Sequence, residues 1–530
     1  MAATVACLLP FIAKPFNIDD PLFVWTAKQI VQHPVDPYGF SVVWYDSAMP
    51  MSTVTKNPPL ASYYGAVVGP WTHWSEVALH IAFLIPAVIT VVATYELACE
   101  MTGLPLLAGA LTLAAPAFLV SATSIMCDVP MLALWMLSIL AWTKGLRSGK
   151  GVHLALGSIL IAACALTKYF GACLIPLLFL YSILKRDRPR FWALYFLVPL
   201  LLLAGYQVWT KQVYGQGLLF DAAQYAHQKR SQLTPSMLGG FLVGLSFSGG
   251  CMLPILLLGP SLLRRFWIAG FGLAVPSAAL IAWNVIGKFT YAADNTGIFV
   301  TLVLFMAAGL FALAIAIQDL WSHRDGDAAL LCAWVLGTFI FASLLNWTVN
   351  ARSVLPMVPA IAILIARGVD ELKKSGATRR WFVVVPVAAS LAVSLWLAAA
   401  DTSLAYCARK TVEEVHRRTQ SSDGKLFFSG HWGFQYYMQE FGAQPLDLTK
   451  NQLTAGDFVV QPGNNSNTFA FSSEQVASVE ILEINANRWL APFHHEIGAG
   501  FYSSNGFGPL PFAFGRVPAE KTLILRVQSQ

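Results

Sequence analysis

NIDDPLFVWTAKQIVQ (residues 17–32) and TVTKNPPLASYYG (residues 53–65) bracket the first polar stretch of a chain otherwise built from long apolar runs. Asp19 and Asp20 stand side by side ahead of Pro21, and Lys56 sits alone in a Lys-Asn-Pro-Pro turn. Two acids before a proline are a common helix start, so capping alone accounts for them on the plainest reading. Their position just after an apolar segment raises a second reading, because ionisable groups at membrane depth are costly and tend to serve function.

Working outward, the chain has 530 residues, 56% hydrophobic and only 12% charged, with mean hydropathy +0.59. A soluble domain carries about 25% charged residues, so the composition indicates a polytopic membrane protein. The net charge of +6 lies in short loops between apolar runs and does not point to nucleic acid. The 8 cysteines contain no CxxC pair and fall in or beside apolar segments, where cysteine behaves as a small apolar residue.

Spans are expected near residues 77–98, 104–121, 129–143, 153–167, 170–184, 191–209, 240–260, 266–286, 297–318, 328–347, 353–367 and 381–400. The N-terminal MAATVACLLPFIA lacks the basic region and cleavage site of a signal peptide. It is shorter than the roughly 20 residues a full crossing needs, and reads as a short or truncated first span. The total is then about 13 transmembrane helices. Alternate loops at 144–150, 185–190, 264–265, 322–327 and 367–380 hold about 15 Lys and Arg, which places them on the cytoplasmic side. The other set faces out: the 14–76 loop, the turns at Asp128, Lys168 and Asn350–Arg352, and the loops at 210–239 and 288–296.

From Asp401 the composition becomes that of a soluble domain. GKLFFSGHWGFQYYMQEFGAQPLDL (424–448) reads as strand, helix, strand; GDFVVQPGNNSN (456–467) as strand and turn; KTLILRV (521–527) as a strand. The expected division is a membrane domain over 1–400 and a small extracytoplasmic α/β domain over 401–530. Asn464-Asn465-Ser466 forms a glycosylation triplet of a kind that arises often by chance.

Topology alone gathers Asp19, Asp20, Asp128, Lys56, Lys168 and Arg352 on the outer face. Three cations there suit the phosphate of a lipid headgroup, and a nearby carboxylate can accept a proton from a hydroxyl. Such a set suits glycosyl transfer from a lipid-linked sugar phosphate, where phosphate leaves without a general acid. Plainer readings stand beside this one: snorkelling for Lys56, span ends for Lys168 and Arg352, a helix start for Asp128, and interfacial aromatics for Tyr63 and Tyr64. Tyr63, Tyr64, Tyr225 and His227 are the expected substrate contacts; the last two lie in the 210–239 segment, which is expected to cover the site when substrate binds, while on the plainer reading His227 and the Lys229-Arg230 pair are solvated. His431, His494 and His495 lack a metal-ligand pattern and read as structural.

The motifs resemble those of the GT-C superfamily of polyprenyl-phosphate-dependent glycosyltransferases, in the branch with protein O-mannosyltransferases, aminoarabinose transferases and Rgt-type enzymes. The acidic pair after the first span is matched by Asp19-Asp20, with Phe23 at the aromatic position and Lys28 at the later basic one. A Lys-Pro-Pro-Leu turn is matched by Lys56-Asn57-Pro58-Pro59-Leu60, the fourth-span acid by Asp128, and Leu-Thr-Lys by Leu166-Thr167-Lys168. The Arg-Tyr-x-x-Pro-x-x-x-Pro stretch is matched by residues 352–359. The chain departs from the pattern with Asp20 for Glu, Ser353 for Tyr, and Leu22 where the aminoarabinose enzymes have arginine.

The resemblance implies an inverting transferase that moves sugar from a polyprenyl-phosphate donor to an acceptor hydroxyl on a glycan, lipid or protein. Asp19, Asp20 and Asp128 would form the catalytic set, with Asp19 as the base and Asp128 helping to place acceptor or cations, and Lys56, Lys168 and Arg352 would hold the leaving phosphate. It implies a bacterial cell membrane setting with membrane lipid as surroundings. Some relatives of that family use a divalent metal, but no residues here have clear metal-ligand spacing, so no required metal or other cofactor is expected. Two other classes compete. A transporter or flippase would carry polar or broken spans deep in the membrane, and a non-catalytic scaffold would tolerate loss of Asp19.

Overall fold

The computed structural model describes residues 1–185, 191–233, 236–263, 266–282, 295–376, 379–420, 423–471 and 475–528. The expected basic loop positions 186–190, 264–265 and 377–378, and most of the expected outer loop at 288–296, lie outside the described residues.

Apolar runs of about 20 residues have to satisfy their backbone internally in lipid, and helices do so. Among the described residues, seven helices are long and apolar enough to cross a membrane. They are Glu76–Cys99, Asp128–Ser148, Trp192–Tyr214, Thr296–His323, Gly326–Leu345, Ala351–Lys374 and Arg380–Thr419. Met237–Gly250 and Pro254–Leu262 are long and apolar enough only as a pair, bent by 96° in the manner of a broken span or a re-entrant loop. Four shorter apolar helices, Ala2–Phe11, Gly151–Thr167, Tyr169–Leu184 and Phe266–Ile281, occupy other expected span positions.

Besides the expected 240–260 span, which is split at residues 251–253, two further expected elements differ. The 104–121 run is not one helix but Pro105–Leu113 followed by Pro116–Ser121. Pro116 has no N–H to continue the first helix, and its ring would clash with the carbonyl four residues back. The Ala114 carbonyl at this break accepts hydrogen bonds from Ser390 and Ser394 Oγ, both at 2.7 Å. The 210–239 segment is largely helical. One helix ends at Tyr214 before Gly215 in the left-handed region (φ 75°), and another runs Leu218–Leu233. Its polarity suggests a loop, but Ala, Gln, Lys and Arg are good helix formers.

Loops grouped by their charge meet at one end of the bundle. Asp327 accepts Arg147 at 3.2 Å and Lys185 at 3.0 Å, and Arg367 pairs with Asp319 at 3.2 Å. The acidic pair and the C-terminal part occupy the other end. The strand-helix-strand reading holds as Leu426–Phe428, Trp432–Glu440 and Gln444–Pro445. A five-stranded sheet runs in the order 444–445, 426–428, 458–462, 520–527, 476–484. The first three strands are parallel and the last two pairings antiparallel, with Ile524 opposite both Val460 and Glu480.

The two parts of the chain share cores. The Arg380–Thr419 helix runs unbroken from the bundle into the sheet-bearing part. Phe16, Val24 and Phe83 pack with Phe428, Phe434 and Ile524. Leu490, Phe501 and Phe512 join the bundle's own core. Gly433 is tied to this seam, because a Cβ there would lie 2.1 Å from the Phe16 carbonyl oxygen.

Candidate functional site

The acidic pair is presented by a tight turn. Ile18 adopts φ 46°, a left-handed conformation that a β-branched residue takes only under strain. The Asp20–Gln32 helix follows, with Asp19 as N-cap and Pro21 in its first turn. Neither acid caps that helix through its side chain in the expected way. The Asp20 carboxylate is fully buried and accepts the Asn17 N–H at 2.9 Å and the Ile125 N–H at 2.8 Å. Burial pushes Asp20 up to about 7, against the pull of Lys14 and of these two N–H groups. Asp19 is one quarter exposed and accepts Arg352 Nη1 at 2.9 Å. The two neighbours thus differ in kind: Asp20 pins backbone, and Asp19 is reachable from outside.

The Ile125–Asp128 turn is the hub of the site. Ile125 donates to Asp20, the Met126 sulfur lies 2.9 Å from Arg352 Nη1, and Cys127 Sγ lies 3.6 Å from Asn57 Oδ1 in the Lys56 turn. Asp128 opens its helix and accepts Lys168 Nζ at 2.6 Å. Asp19, Asp20, Asp128, Lys168, Arg352 and the Lys56 turn therefore converge around four residues. Lys56 itself reaches Asp221 at 2.6 Å, with the Tyr225 ring 5.1 Å from its ammonium. Each of the three cations holds one carboxylate, so the charges are balanced and each cation keeps further donors for an anion.

Other expected contacts are placed differently. Tyr63 donates to the Pro34 carbonyl at 2.5 Å, and Tyr64 donates to the Ala82 carbonyl at 2.7 Å and packs on Phe83. Tyr225 lies against Lys56 and Trp347, and His227 on the same helix is exposed. Arg230 corrects the expectation of a solvated pair. It donates to the carbonyls of Asn346 and Ser343 at 2.7 and 3.0 Å, at the end of the π-helical turn Phe341–Leu345. Phe23 is core, and Lys28 spans Trp74, Tyr436 and Glu440. His431 stacks on Trp44 with ring centroids 4.3 Å apart, and burial lowers it to about 3.

A second set of polar groups was not evident in the sequence. Lys14 and Asp401 are both fully buried and pair at 2.5 Å. Lys14 also donates to Thr123 Oγ1 at 3.2 Å, and Tyr502 donates to the Asp401 carboxylate at 2.9 Å. The Tyr502 ring centre is 5.5 Å from the Arg352 guanidinium carbon. The one available signal was a lysine between Ala13 and Pro15 at the end of an apolar run, as stranded as Lys56.

A family model described as dolichyl-phosphate-mannose-protein mannosyltransferase matches residues 56–209, the part that carries Lys56, Asp128 and Lys168. No curated protein matches the chain by sequence. Among solved structures, ArnT from Cupriavidus metallidurans bound to undecaprenyl phosphate is similar at 13% identity and TM-score 0.43, over 87% of this chain and 92% of that one. The oligosaccharyltransferase of Archaeoglobus fulgidus is similar at 14% identity and TM-score 0.47, over 84% of this chain and 63% of that one. The mycobacterial arabinofuranosyltransferase AftD is similar at 11% identity and TM-score 0.39, over 100% of this chain and 40% of that one.

Proposed function

We propose that this protein is an inverting membrane glycosyltransferase of the GT-C type, drawing sugar from a polyprenyl-phosphate donor. The observation that carries the reading is the convergence on the Ile125–Asp128 turn of one accessible carboxylate and a set of cations at one end of an apolar bundle. The match of residues 56–209 to a family named for dolichyl-phosphate mannose supports the donor class.

In this reading Asp19 accepts the proton of the acceptor hydroxyl as that oxygen attacks the anomeric carbon. The bond from that carbon to the phosphate oxygen breaks, and the phosphate leaves carrying its negative charge. Arg352 and Lys168 neutralise that charge, an electrostatic contribution in a site of low dielectric. Lys56 joins them when the phosphate replaces Asp221 as its partner. The outer loop 14–76, the sheet-bearing segment after 400 and the active site then face the extracytoplasmic side.

The test is transfer of radiolabelled sugar from a panel of polyprenyl-phosphate donors in membranes carrying the wild-type chain or Asp19→Asn. Label transferred by wild type and lost in a folded Asp19→Asn variant is the expected result. Undiminished transfer by the variant would remove Asp19 as base. Failure of wild type with every donor would overturn the transferase reading.

A further inference from the structure

We propose that Tyr502 is a positioning residue that holds Arg352 against Asp19 from a footing on the buried Lys14–Asp401 pair. The inference rests on the transferase reading for its consequence in catalysis, though its geometry does not depend on that reading.

Arg352 meets both Asp19 and the Met126 sulfur through the single atom Nη1, so these two contacts alone do not fix the guanidinium plane. The face of the Tyr502 ring lies beside it, and a cation over an aromatic face is attracted most strongly where water is excluded. Tyr502 is only 3% exposed and is itself held on several sides. Its hydroxyl donates to the Asp401 carboxylate, and its ring meets Phe493 edge-on at 5.6 Å. Backbone bonds fasten the flanks: Ala351 N–H to the Phe501 carbonyl at 2.9 Å, and Ser504 N–H to the Val349 carbonyl at 2.8 Å. The segment bearing Tyr502 is therefore in fixed register with the segment bearing Arg352.

The footing is the unusual part. A fully buried ion pair contributes little net stability, and apolar residues of similar volume often serve as well or better. Lys14, four residues before the strained Ile18, nevertheless reaches the long helix at Asp401 and donates to Thr123, and Asn17, which precedes Ile18, places its Nδ2 3.5 Å from the same Asp401 carboxylate. That arrangement ties the turn that presents Asp19 to the tyrosine that steadies Arg352, so the two ends of the Asp19–Arg352 contact share one anchor. Packing alone requires no charges there.

Three variants test this: Tyr502→Phe, which keeps the ring, and Tyr502→Leu and Tyr502→Met, which remove it. The first readout needs no donor. Phenylglyoxal modification of Arg352 is followed by mass spectrometry in detergent-solubilised protein shown to be folded by its elution profile and melting curve. Leu or Met should speed modification several-fold, and Phe, which keeps the ring but loses the bond to Asp401, should lie between them and wild type. The second readout is thermal stabilisation by undecaprenyl phosphate, where Leu or Met should weaken apparent affinity roughly ten-fold and Phe by less. In transfer assays the loss should appear in donor KM as well as in kcat, whereas mere loss of folded enzyme lowers kcat alone. Equal modification rates in wild type, Phe, Leu and Met would overturn the inference. A preserved contrast in modification, with no stabilisation of wild type by undecaprenyl phosphate, would instead overturn the donor reading and leave the role of Tyr502 standing.

Discussion

Arg352 meets Asp19 at 2.9 Å across a separation of 333 residues, a direct side-chain link between the turn that bears the acidic pair and the segment opening the Ala351–Lys374 span. Removing the cation should cost more than removing the contact. Arg352→Gln is expected to lower transfer kcat/KM by roughly 100-fold or more, since electrostatic stabilisers of a leaving oxyanion contribute on that scale. Arg352→Lys should recover only part, because a point charge does not reproduce a planar fork. Wild-type kinetics in Arg352→Gln would exclude the residue from the chemistry.

Asp19 and Asp20 are expected to separate cleanly under mutation. Asp20→Ala strands the buried N–H groups of Asn17 and Ile125, at about 1–3 kcal/mol for each unsatisfied group. Its melting temperature should fall while activity per folded molecule stays within a few-fold. Asp19→Asn should show the opposite pattern. Matching losses of activity without destabilisation in both would assign Asp20 to catalysis too.

Lys14→Met leaves Asp401 charged in the core, and breaking such a pair costs about 3–5 kcal/mol. The double variant Lys14→Met/Asp401→Leu should recover much of that stability, because neither charge remains. Activity is not expected to recover in parallel, since Tyr502 then loses the acceptor of its hydroxyl. Thermal unfolding and transfer assays on the four members of the cycle separate the two effects.

Asp221 pairs with Lys56 at 2.6 Å. Asp221→Asn is expected to tighten binding of undecaprenyl phosphate several-fold at low salt, an advantage that fades as ionic strength rises. Weaker binding in the variant would show that Asp221 orders the Leu218–Leu233 helix for the substrate rather than holding its place.

Glu520 supplies a pH test in the sheet-bearing C-terminal part. It accepts a hydrogen bond from Asn464 at 3.1 Å and lies 3.8 Å from His494. Burial pushes its carboxyl up to about 8, with Asn464 opposing and Glu496 adding to the rise. The folded chain then keeps a proton that the unfolded chain releases above about 4.3. The folded state therefore loses stability as pH rises from there towards 8. Melting curves from pH 5 to 8.5 should decline more steeply for wild type than for Glu520→Gln. Parallel curves would show that Glu520 titrates normally.

Part of the site was legible because its signals are local. Charged residues stranded at the ends of apolar runs are visible without knowing the fold, and Asp19, Asp128, Lys168 and Arg352 do meet. Partner choice was not legible. Lys56 takes an acid from a helix read as loop, and Arg230 takes carbonyls freed where the Gly326–Ile340 helix loosens into a π-turn. Both depend on which carbonyls and carboxylates a break or a turn exposes.

By itself the sequence determined a polytopic helical chain with polar groups at the ends of its spans and a strand-bearing C-terminal segment. Hydropathy and periodicity are properties of neighbouring residues, and lipid allows apolar runs few other forms. Only the tertiary structure decided that Asp20 is buried while Asp19 is reachable, and that Lys14, Asp401 and Tyr502 sit beneath them. Those facts depend on contacts between segments hundreds of residues apart, where packing and desolvation, rather than any local pattern, select which charges meet.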